Sequence, residues 1–308
     1  MKTWDIITGL DACVDLIVSG NTIPRFHQIE QNVNNYTIEM GGSSSIFLSQ
    51  CAKLGLSVAG VGCRGDDAFG DFFETELGRT GVDISLLMKH PTEKTGLGLC
   101  LLNEDDRAIL TYSGTINILE ERDFPDELLA KARHLHIASY FLLRKLRPHF
   151  CAVVRRAKSL GLTVSLDTNW DPDGEWLGVS DLLPMIDVFL PNEREAEAMG
   201  GADSLSKKAK LLIVKEGERG ASAYIDGHVV AQADAYVMPY ADAIGAGDSF
   251  DAGFVSAWLK ELPIETCLRY GCACGSLSIR AHGGIKGQGH TAEVNALLHA
   301  NEHSFIGI

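Results

Sequence analysis

The chain has 308 residues, of which 45% are hydrophobic and 22% are charged, as in an ordinary globular protein with a large core. Its net charge of −14 disfavours binding to nucleic-acid phosphates. Acids at positions 5, 11 and 15 interrupt the first apolar run, so we expect no signal peptide, no membrane span and a cytoplasmic location. The eight cysteines include no CxxC pair, which predicts reduced, mostly buried thiols.

Short apolar runs alternate with amphipathic segments from end to end of the chain. In chain order, the predicted elements are a strand at 5–9, a helix at 44–54, a strand at 58–61, a helix at 69–79, a strand at 133–138, a helix at 150–160, strands at 163–167, 188–190 and 211–215, and a helix that includes 254–259. Alternation of this kind predicts a mainly parallel sheet covered by helices on both faces.

Two segments break the alternation. Residues 95–102 and 108–112 predict a hairpin around the polar turn at 103–107. Residues 14–40 lack a helical period and contain strand-like pieces. Together these segments predict a small separate sheet that could cover a site.

Polar side chains follow several of the predicted strands. Ligands of open α/β sheets bind beyond the C-terminal ends of the strands, so these side chains are candidates for binding hydroxyls or a hydrated cation. Each of them could instead start a turn or cap a helix. The candidates are Asp11, Asp15, Asp167, Asn169, Asn192 and Glu195.

Two histidines are spaced to point to one face of a predicted strand. His134 and His136 could bind a metal ion, but no third ligand lies nearby in the sequence. A structural role is therefore the favoured interpretation.

A glycine-rich loop precedes the helix that includes 254–259. Gly245 and Gly247 can bring backbone N–H groups close together at a helix N-terminus, which stabilises an anion. The loop is not a Walker A motif, since no Gly-Lys-Ser/Thr follows, and Phe250 occupies the third glycine position of the dinucleotide fingerprint. The glycine pair alone is weak evidence for a ligand.

Asp248 follows this loop directly. A carboxylate beside an anion site is electrostatically unfavourable unless it has a task, such as accepting a proton from an attacking hydroxyl. Alternatively, Asp248 is the N-cap of the helix, with Asp251 completing an imperfect capping box. The residues alone leave both interpretations open.

Four motifs resemble those of the ribokinase (PfkB-type) family of sugar and nucleoside kinases. Residues 242–248 (DAIGAGD) resemble the family signature D-T-x-G-A-G-D. A second signature combines the glycine pair Gly41-Gly42 with residues 61–70 (VGCRGDDAFG). Residues 192–195 (NERE) look like the N-x-x-E motif, and 215–220 (KEGERG) look like the K-x-G-x-x-G nucleotide segment. The motifs follow the family's order and span almost the whole chain.

The resemblance implies a ribokinase-like three-layer α/β/α fold with a mainly parallel central sheet and a small β-sheet lid. It implies one kinase domain over 1–308, with lid segments at approximately 13–40 and 95–116. The implied activity is transfer of the γ-phosphoryl group of ATP, with Mg²⁺, to a hydroxyl of a small sugar or polyol. Asp248 would be the general base, and Gly245, Ala246 and Gly247 would stabilise charge on the transferred group.

The resemblance also implies the remaining binding residues. The substrate would contact Asp11, Asp15, Gly41, Gly42 and Asn169. The nucleotide would contact Asn192, Lys215, Gly217 and Gly220. Mg²⁺ would be held by Asn192 and Glu195, largely through water.

Some positions depart from the family pattern. Ala243 replaces the signature threonine, which leaves a monovalent-cation site beside the loop open. Ser43 and Ile46 stand where ribokinase has Lys and Asn, and Trp170 or Asp171 stands where sugar-acid kinases have Arg. The acceptor therefore stays open. The alternatives are a nucleoside kinase and a catalytically silent sugar-binding protein, and a homodimer is a further open expectation.

Overall fold

The structure is a computed structural model that describes residues 2–103 and 107–302. Its strands are β1 (Trp4–Gly9), β2 (Cys13–Ser19), β3 (Asn35–Met40), β4 (Val58–Gly65), β5 (Leu87–His90), β6 (Gly96–Leu102), β7 (Arg107–Tyr112), β8 (Ala132–Ile137), β9 (Thr163–Leu166), β10 (Val188–Phe189), β11 (Leu212–Lys215), β12 (Ala221–Ile225) and β13 (His228–Ala233). Its α-helices are α1 (Ser43–Lys53), α2 (Ala68–Arg79), α3 (Asp126–Leu129), α4 (Phe150–Ser159), α5 (Val179–Leu182), α6 (Glu193–Ala198), α7 (Ala202–Ser206), α8 (Ala246–Trp258), α9 (Ile264–Ser278) and α10 (Thr291–Glu302).

The larger sheet of the described residues has nine strands in the order β13-β12-β11-β10-β9-β8-β1-β4-β5. Neighbouring strands are parallel from β11 across to β5, and antiparallel pairing is confined to β11–β12 and β12–β13. The C-terminal ends of the parallel strands therefore lie along one edge of the sheet, and the residues that follow them are brought together there.

Helices cover both faces of this sheet because its strands are apolar on both sides. Ile6 and Ile7 of β1 are both fully buried, and they pack into different hydrophobic clusters. The cluster of Ile6 includes Phe47 of α1 and Phe254 of α8, whereas that of Ile7 includes Val154 of α4. The alternating side chains of one strand thus join two cores.

The smaller sheet, which we call the lid, has the order β3-β2-β6-β7. β2 pairs in parallel with β6, and the outer strands pair antiparallel with them. These strands come from the two segments that break the helical alternation of the sequence. Residues 104–106 of the predicted polar turn lie outside the described residues.

Each predicted strand and helix is present, with bounds shifted by a few residues at most. The prediction overlooked β5, the long helices α9 and α10, several short helices, and the antiparallel hairpin of β12 and β13. A signal for the hairpin exists, since Asp226-Gly227 joins the strands with φ of 48° and 82°, the left-handed conformations of a tight hairpin turn. No helix of the described residues is long and apolar enough to span a membrane.

Candidate active site

The N-termini of α1 and α8 meet at the C-terminal edge of the larger sheet. Gly245 is the N-cap of α8 with φ of 70°, and a Cβ there would lie 2.8 Å from Ile46 of α1 and 3.0 Å from Gly284. Both the backbone conformation and the close contact require glycine. The contact keeps the two helix starts side by side.

Asp248 lies inside the first turn of α8. The interpretation of Asp248 as the N-cap is wrong, because Gly245 holds that position and no side chain caps the helix. The carboxylate is half-buried. Burial raises the pKa of Asp248 well above its ordinary value, and the charge of Asp167 adds to the shift. A carboxyl with a raised pKa is a stronger proton acceptor once it is ionised.

The start of α8 also carries backbone N–H groups beside this carboxylate. The first N–H groups of a helix have no partner within the helix, and with the helix dipole they favour an anion. Gly245, Ala246 and Gly247 provide this stretch of backbone. The predicted catalytic residues thus form one continuous turn that places the first N–H groups of α8 beside a half-buried carboxylate.

Asp11 follows β1 and is 3% exposed. One carboxylate oxygen accepts from the Ser43 N–H at 3.0 Å and from the Ser139 hydroxyl at 2.5 Å. The other accepts from the Ser44 N–H at 3.0 Å and from the Ser44 hydroxyl. Asp11 therefore satisfies the N-terminus of α1, and its predicted contact with a sugar hydroxyl stays a prediction.

Asp15 extends from lid strand β2. A Cβ on Gly41 would lie 2.6 Å from its carboxyl carbon, and one on Gly98 would lie 2.3 Å from an oxygen. Two glycines thus make room for this half-buried carboxylate between the lid and the start of α1. Gly42 has φ of 87°, and a Cβ there would lie 2.5 Å from the Asp11 carbonyl oxygen. These residues border the predicted substrate site.

Asn169 lies beyond the end of β9, with φ of 54°. Its amide nitrogen donates to the Ser43 hydroxyl at 2.8 Å and to the Ser139 hydroxyl at 3.1 Å. Ser139 follows β8 and also has a positive φ of 51°. Asn tolerates this backbone conformation better than most residues, and Ser tolerates it less well.

Lys215 ends β11 beneath the first turn of α8. Its ammonium group lies 2.7 Å from Asp167 Oδ2 and 3.1 Å from Asp251 Oδ2, with the side chains 10%, 3% and 1% exposed respectively. Burial alone would lower the pKa of Lys215, but attraction to both carboxylates holds it above its ordinary value. Lys215 is thus committed to a buried ion pair, and its contact with a nucleotide stays a prediction.

Asn192 and Glu195 form a reciprocal capping box at the start of α6. Asn192 Oδ1 accepts from the Glu195 N–H at 3.0 Å, and Glu195 Oε2 accepts from the Asn192 N–H at 2.9 Å. Burial, reinforced by the charge of Asp167, raises the pKa of Glu195 to about 7.

Gly217 and Gly220 lie in the turn after β11, with φ of 61° and 100°.

A family model described as pfkB family carbohydrate kinase matches residues 11–290. The chain belongs to this family. The expected phosphotransferase class and ribokinase-like fold are therefore confirmed, and so is the expectation of a sugar kinase.

Relatives of the chain within the family have different acceptors in their names. The chain is 26% identical over 320 residues to the 5-dehydro-2-deoxygluconokinase of Bacillus subtilis, covering 97% of both chains. It is 28% identical over 271 residues to the ATP-dependent ribose-1-phosphate kinase of Halopiger xanaduensis, covering 82% of this chain and 85% of that one.

A solved structure supports the fold. The putative Ribokinase II of E. coli in complex with ATP and Mg²⁺ matches with a TM-score of 0.81 at 22% identity, over 96% of this chain and 99% of that one. A likeness at this level of identity shows the fold.

The residues of the family signature around Ala243 form a loop that hydrogen bonds hold in place. Asp242 accepts from the Ile244 N–H at 3.0 Å, and its other oxygen accepts from the Gly283 N–H at 3.0 Å and contacts His282 Nδ1 at 3.1 Å. Ala243 itself is exposed. The first Asp of the pfkB signature thus fixes the loop to residues 282–283.

Asn192 and Glu195 offer oxygen ligands, the type that Mg²⁺ prefers. Their capping box holds both side chains in place at the C-terminal edge of the larger sheet, where the start of α8 with Asp248 also lies. Among the residues described, no group of three or more His, Cys, Asp or Glu is arranged to hold a metal ion. The two residues fit the role of holding Mg²⁺ through water.

His134 and His136 have a structural environment. Ser165 Oγ lies 2.7 Å from a ring nitrogen of each, and Thr163 Oγ1 lies 2.8 Å from the other nitrogen of His134. His136 also stacks on Phe47 at 3.8 Å. Burial lowers the pKa of both imidazoles to about 3, so they are neutral. The favoured structural interpretation agrees with these contacts.

Sequence reasoning missed three residues of the site. In the sequence Ser43 is only a departure from the family pattern, whereas in the structure its hydroxyl accepts a hydrogen bond from the Asn169 amide. Asp251 enters the sequence analysis only as part of a cap, but its position three residues after Asp248 indicates that both acids lie on one helix face. No sequence signal identifies Ser139, which reaches the site through the arrangement of β8.

Proposed function

We propose that this protein transfers the γ-phosphoryl group of ATP to a hydroxyl group of a small sugar or polyol, with Asp248 as the general base. The observation that carries the proposal is the position of Asp248. Its half-buried carboxylate and the first N–H groups of α8 belong to the same helical turn. A base and an anion-binding backbone side by side are what phosphoryl transfer to an alcohol requires.

These groups account for the bond formed, the bond broken and the proton transferred in the reaction. The acceptor oxygen forms a bond to the γ-phosphorus as its proton passes to Asp248, and the bond from that phosphorus to the β,γ-bridging oxygen breaks, releasing ADP. Gly245, Ala246 and Gly247 stabilise the charge of the phosphoryl oxygens through their backbone. Asp15 orients the acceptor from the lid side, with Gly41 and Gly42 packed against it and Asn169 beside it.

The nucleotide would lie over the turn that contains Gly217 and Gly220, near Lys215 and Asn192. Asn192 and Glu195 would hold Mg²⁺ through water, and Mg²⁺ supplies neutralisation of phosphate charge when it is bound. The structural relative solved with ATP and Mg²⁺ supports this pair of co-reactants. A monovalent cation near Ala243 stays an open prediction.

The acceptor is a small carbohydrate, and its identity is the open part of the proposal. The named relatives act on a dehydro-deoxy sugar acid and on a sugar phosphate. Trp170 follows Asn169 in the sequence, and its side chain is 56% exposed. Its ring packs edge to face against that of Trp176, with the ring centroids 5.0 Å apart. A nucleoside kinase is the alternative within the family, and a silent sugar-binding protein would have no need of Asp248.

We propose one kinase domain whose lid, formed by segments 13–40 and 95–116, closes over a cytoplasmic substrate and excludes water. We also propose that the outer face of the lid pairs two copies of the chain. By strand register, Leu16, Ile38, Leu99 and Leu110 form a row across the four strands, on the face opposite Asp15. The row is apolar from edge to edge.

An ADP-release assay across sugars, sugar acids, sugar phosphates and nucleosides tests the activity. We expect one acceptor class to give turnover, and Asp248→Asn to lower kcat by roughly 100-fold or more. ATP binding should be retained in this variant. Asp203→Asn, on the exposed surface of α7, is the matched control and should keep wild-type turnover.

Two outcomes would contradict the proposal. Near-normal turnover of Asp248→Asn would remove Asp248 as the base. No ADP release with any acceptor, despite sugar binding, would favour the silent-binder alternative.

A further inference from the structure

Two acidic side chains lie opposite each other on the face of the lid that carries Asp15, which we call its inner face. Asp15 of β2 is the register partner of Glu39 of β3, and directly opposite residues of an antiparallel pair share one face. Their Cβ atoms are about 4.5–5.5 Å apart, and like charges at such positions repel each other. Glu39 is 5% exposed, so water screens this repulsion poorly. A cation close to the two acids would offset the repulsion.

Lys286 supplies that cation from outside the lid. Its ammonium group lies 2.5 Å from Glu39 Oε1, and the side chains of Lys286 and Glu39 are 58% and 7% exposed respectively. Lys286 belongs to residues 282–288 between α9 and α10, which we call the connecting loop. Gly283 of this loop packs on the same carboxylate: its φ is 87°, and a Cβ there would lie 3.0 Å from Glu39 Cδ. The lid is thus attached to the connecting loop through Glu39.

The connecting loop also supports the start of α8. The Gly283 N–H donates to Asp242 at 3.0 Å, and the other oxygen of Asp242 accepts from the Ile244 N–H at 3.0 Å. A Cβ on Gly245, the N-cap of α8, would lie 3.0 Å from the Cα of Gly284. The loop therefore contacts the lid on one side and the start of α8 on the other.

Buried hydrogen bonds fix the connecting loop to α1 and α8. Gln288 is 3% exposed, and its amide nitrogen donates to the Ile46 carbonyl at 2.9 Å and to the Ser249 hydroxyl at 3.1 Å. The amide oxygen of Gln288 accepts from the Ser49 hydroxyl at 2.9 Å. A buried polar network whose members are all paired is rigid, so the loop is a firm support for the lid.

We propose that Lys286 is a positioning residue for acceptor binding, which holds Asp15 in place through Glu39. This inference rests on the proposed function, in which Asp15 orients the acceptor. The ion pair neutralises the acid opposite Asp15 and keeps the inner face of the lid against the connecting loop. Because the same loop supports the start of α8, it also sets the distance between the acceptor-orienting carboxylate and the phosphoryl-binding backbone.

The two partners of the ion pair differ in burial, which makes the effects of their loss unequal. Lys286→Met leaves the buried Glu39 carboxylate without its cation and opposite a second carboxylate. Glu39→Gln removes the like charge instead, and the Lys286 ammonium group stays in water. Lys286→Met should therefore disturb the lid, and adding Glu39→Gln to it should restore the lid. A mere loss of contact would leave the double variant at least as defective as Lys286→Met.

Hydrogen exchange followed by mass spectrometry tests the lid without any ligand. For Lys286→Met, we expect the amide protons of β2 and β3 to exchange roughly tenfold faster than in the wild type. Those of α4, which packs on the opposite face of the larger sheet from α1, should be unchanged. The Glu39→Gln/Lys286→Met double variant should return to within about threefold of the wild type. Lys260→Met, exposed beyond the end of α8, is the matched control and should exchange like the wild type.

Steady-state kinetics test the role of the ion pair in acceptor binding. The probe is the acceptor of highest turnover among the sugars, sugar acids, sugar phosphates and nucleosides of the ADP-release assay. We expect Lys286→Met to raise KM for this acceptor by roughly tenfold, while kcat and KM for ATP stay within about threefold of the wild type. Asp248 and the N–H groups of α8 are unchanged in this variant, so acceptor binding is the step that suffers. The double variant should lower this KM again.

Three outcomes would overturn the inference: wild-type exchange of the lid in Lys286→Met, an unchanged KM for the acceptor in this variant, or a double variant as defective as Lys286→Met. An absence of ADP release by the wild type with every acceptor would instead contradict the proposed function. In that case, the hydrogen exchange of the lid still decides whether the ion pair holds it in place.

Discussion

Charged side chains are concentrated beneath the first turn of α8. Lys215 contacts Asp167 and Asp251 there, and a Cβ on Gly247 would lie 3.4 Å from the Lys215 ammonium group. Burial raises the pKa of Asp251 well above its ordinary value, and one of its oxygens has no hydrogen-bond partner among the described residues. Because the carboxylates of Asp167 and Asp251 are buried against a single ammonium group, retention of one proton by these two carboxylates is favoured.

This arrangement predicts that Lys215 matters for stability before any nucleotide binds. Lys215→Met leaves two buried carboxylates without their cation and should lower the free energy of unfolding by about 3–5 kcal/mol. The measurement is urea unfolding without ATP.

Lys207→Met supplies the control. Lys207 pairs with Asp203 at 2.8 Å on the exposed surface of α7, where solvent screens the pair, so its loss should leave the free energy of unfolding nearly unchanged. If Lys215→Met unfolds like wild type without ATP, the buried ion pair contributes little, and a role in nucleotide binding becomes the better explanation of this lysine.

Among the structural elements, the turn between β11 and β12 depends on its glycines for different reasons. Gly217 has φ of 61°, and a Cβ there would meet nothing within 4 Å. Gly220 has φ of 100°, and a Cβ there would lie 2.0 Å from the Ala233 carbonyl oxygen on β13. At position 217, glycine is required only for the unusual backbone conformation. At position 220, the absence of a Cβ also allows the hairpin to pack against the turn.

We therefore expect unequal effects of alanine at these positions. Gly217→Ala should destabilise the protein by about 1–2 kcal/mol, the cost of a left-handed L-residue. Gly220→Ala adds a backbone collision and should cost clearly more, visible as a lower midpoint of thermal unfolding. Equal midpoints for the two variants would show that the hairpin of β12 and β13 shifts to accommodate the added methyl group.

At the scale of the whole molecule, the lid has two different faces. Asp15 and Gly98 lie on the inner face, and the apolar row of Leu16, Ile38, Leu99 and Leu110 lies on the outer face. Leu110 is 60% exposed in the single chain. A contiguous apolar face of this kind is typical of an interaction surface.

Light scattering after gel filtration tests the proposed homodimer. We expect a dimer for the wild type and a monomer for Leu110→Asp, since two-fold pairing through this face would bury the introduced charge of both copies in an apolar contact. Val229→Asp is the control, because Val229 is exposed on β13 at the far edge of the other sheet. A monomeric wild type, or dissociation by both variants, would contradict pairing through the lid.

Local patterns of the sequence carried much of the fold and part of the site. Apolar periodicity located most strands and the helices α1, α2, α4 and α8, because burial of a side chain depends on its place in the repeat of its own element. The N-x-x-E spacing matched the capping box of Asn192 and Glu195, which spans a single helical turn. The Asp226-Gly227 turn was equally local, and the hairpin was overlooked although its signal was present.

The sequence by itself determined the family, the alternating sheet and the glycine turn that precedes Asp248. Only the tertiary structure decided what surrounds that carboxylate. It assigned Asp11 to the start of α1, Lys215 to a buried ion pair, and Ser43 to a chain of hydrogen bonds through Asn169. Ser43 and Asn169 are 126 positions apart in the chain. Their contact depends on which strand ends lie side by side in the folded sheet, and no local pattern of residues encodes that order.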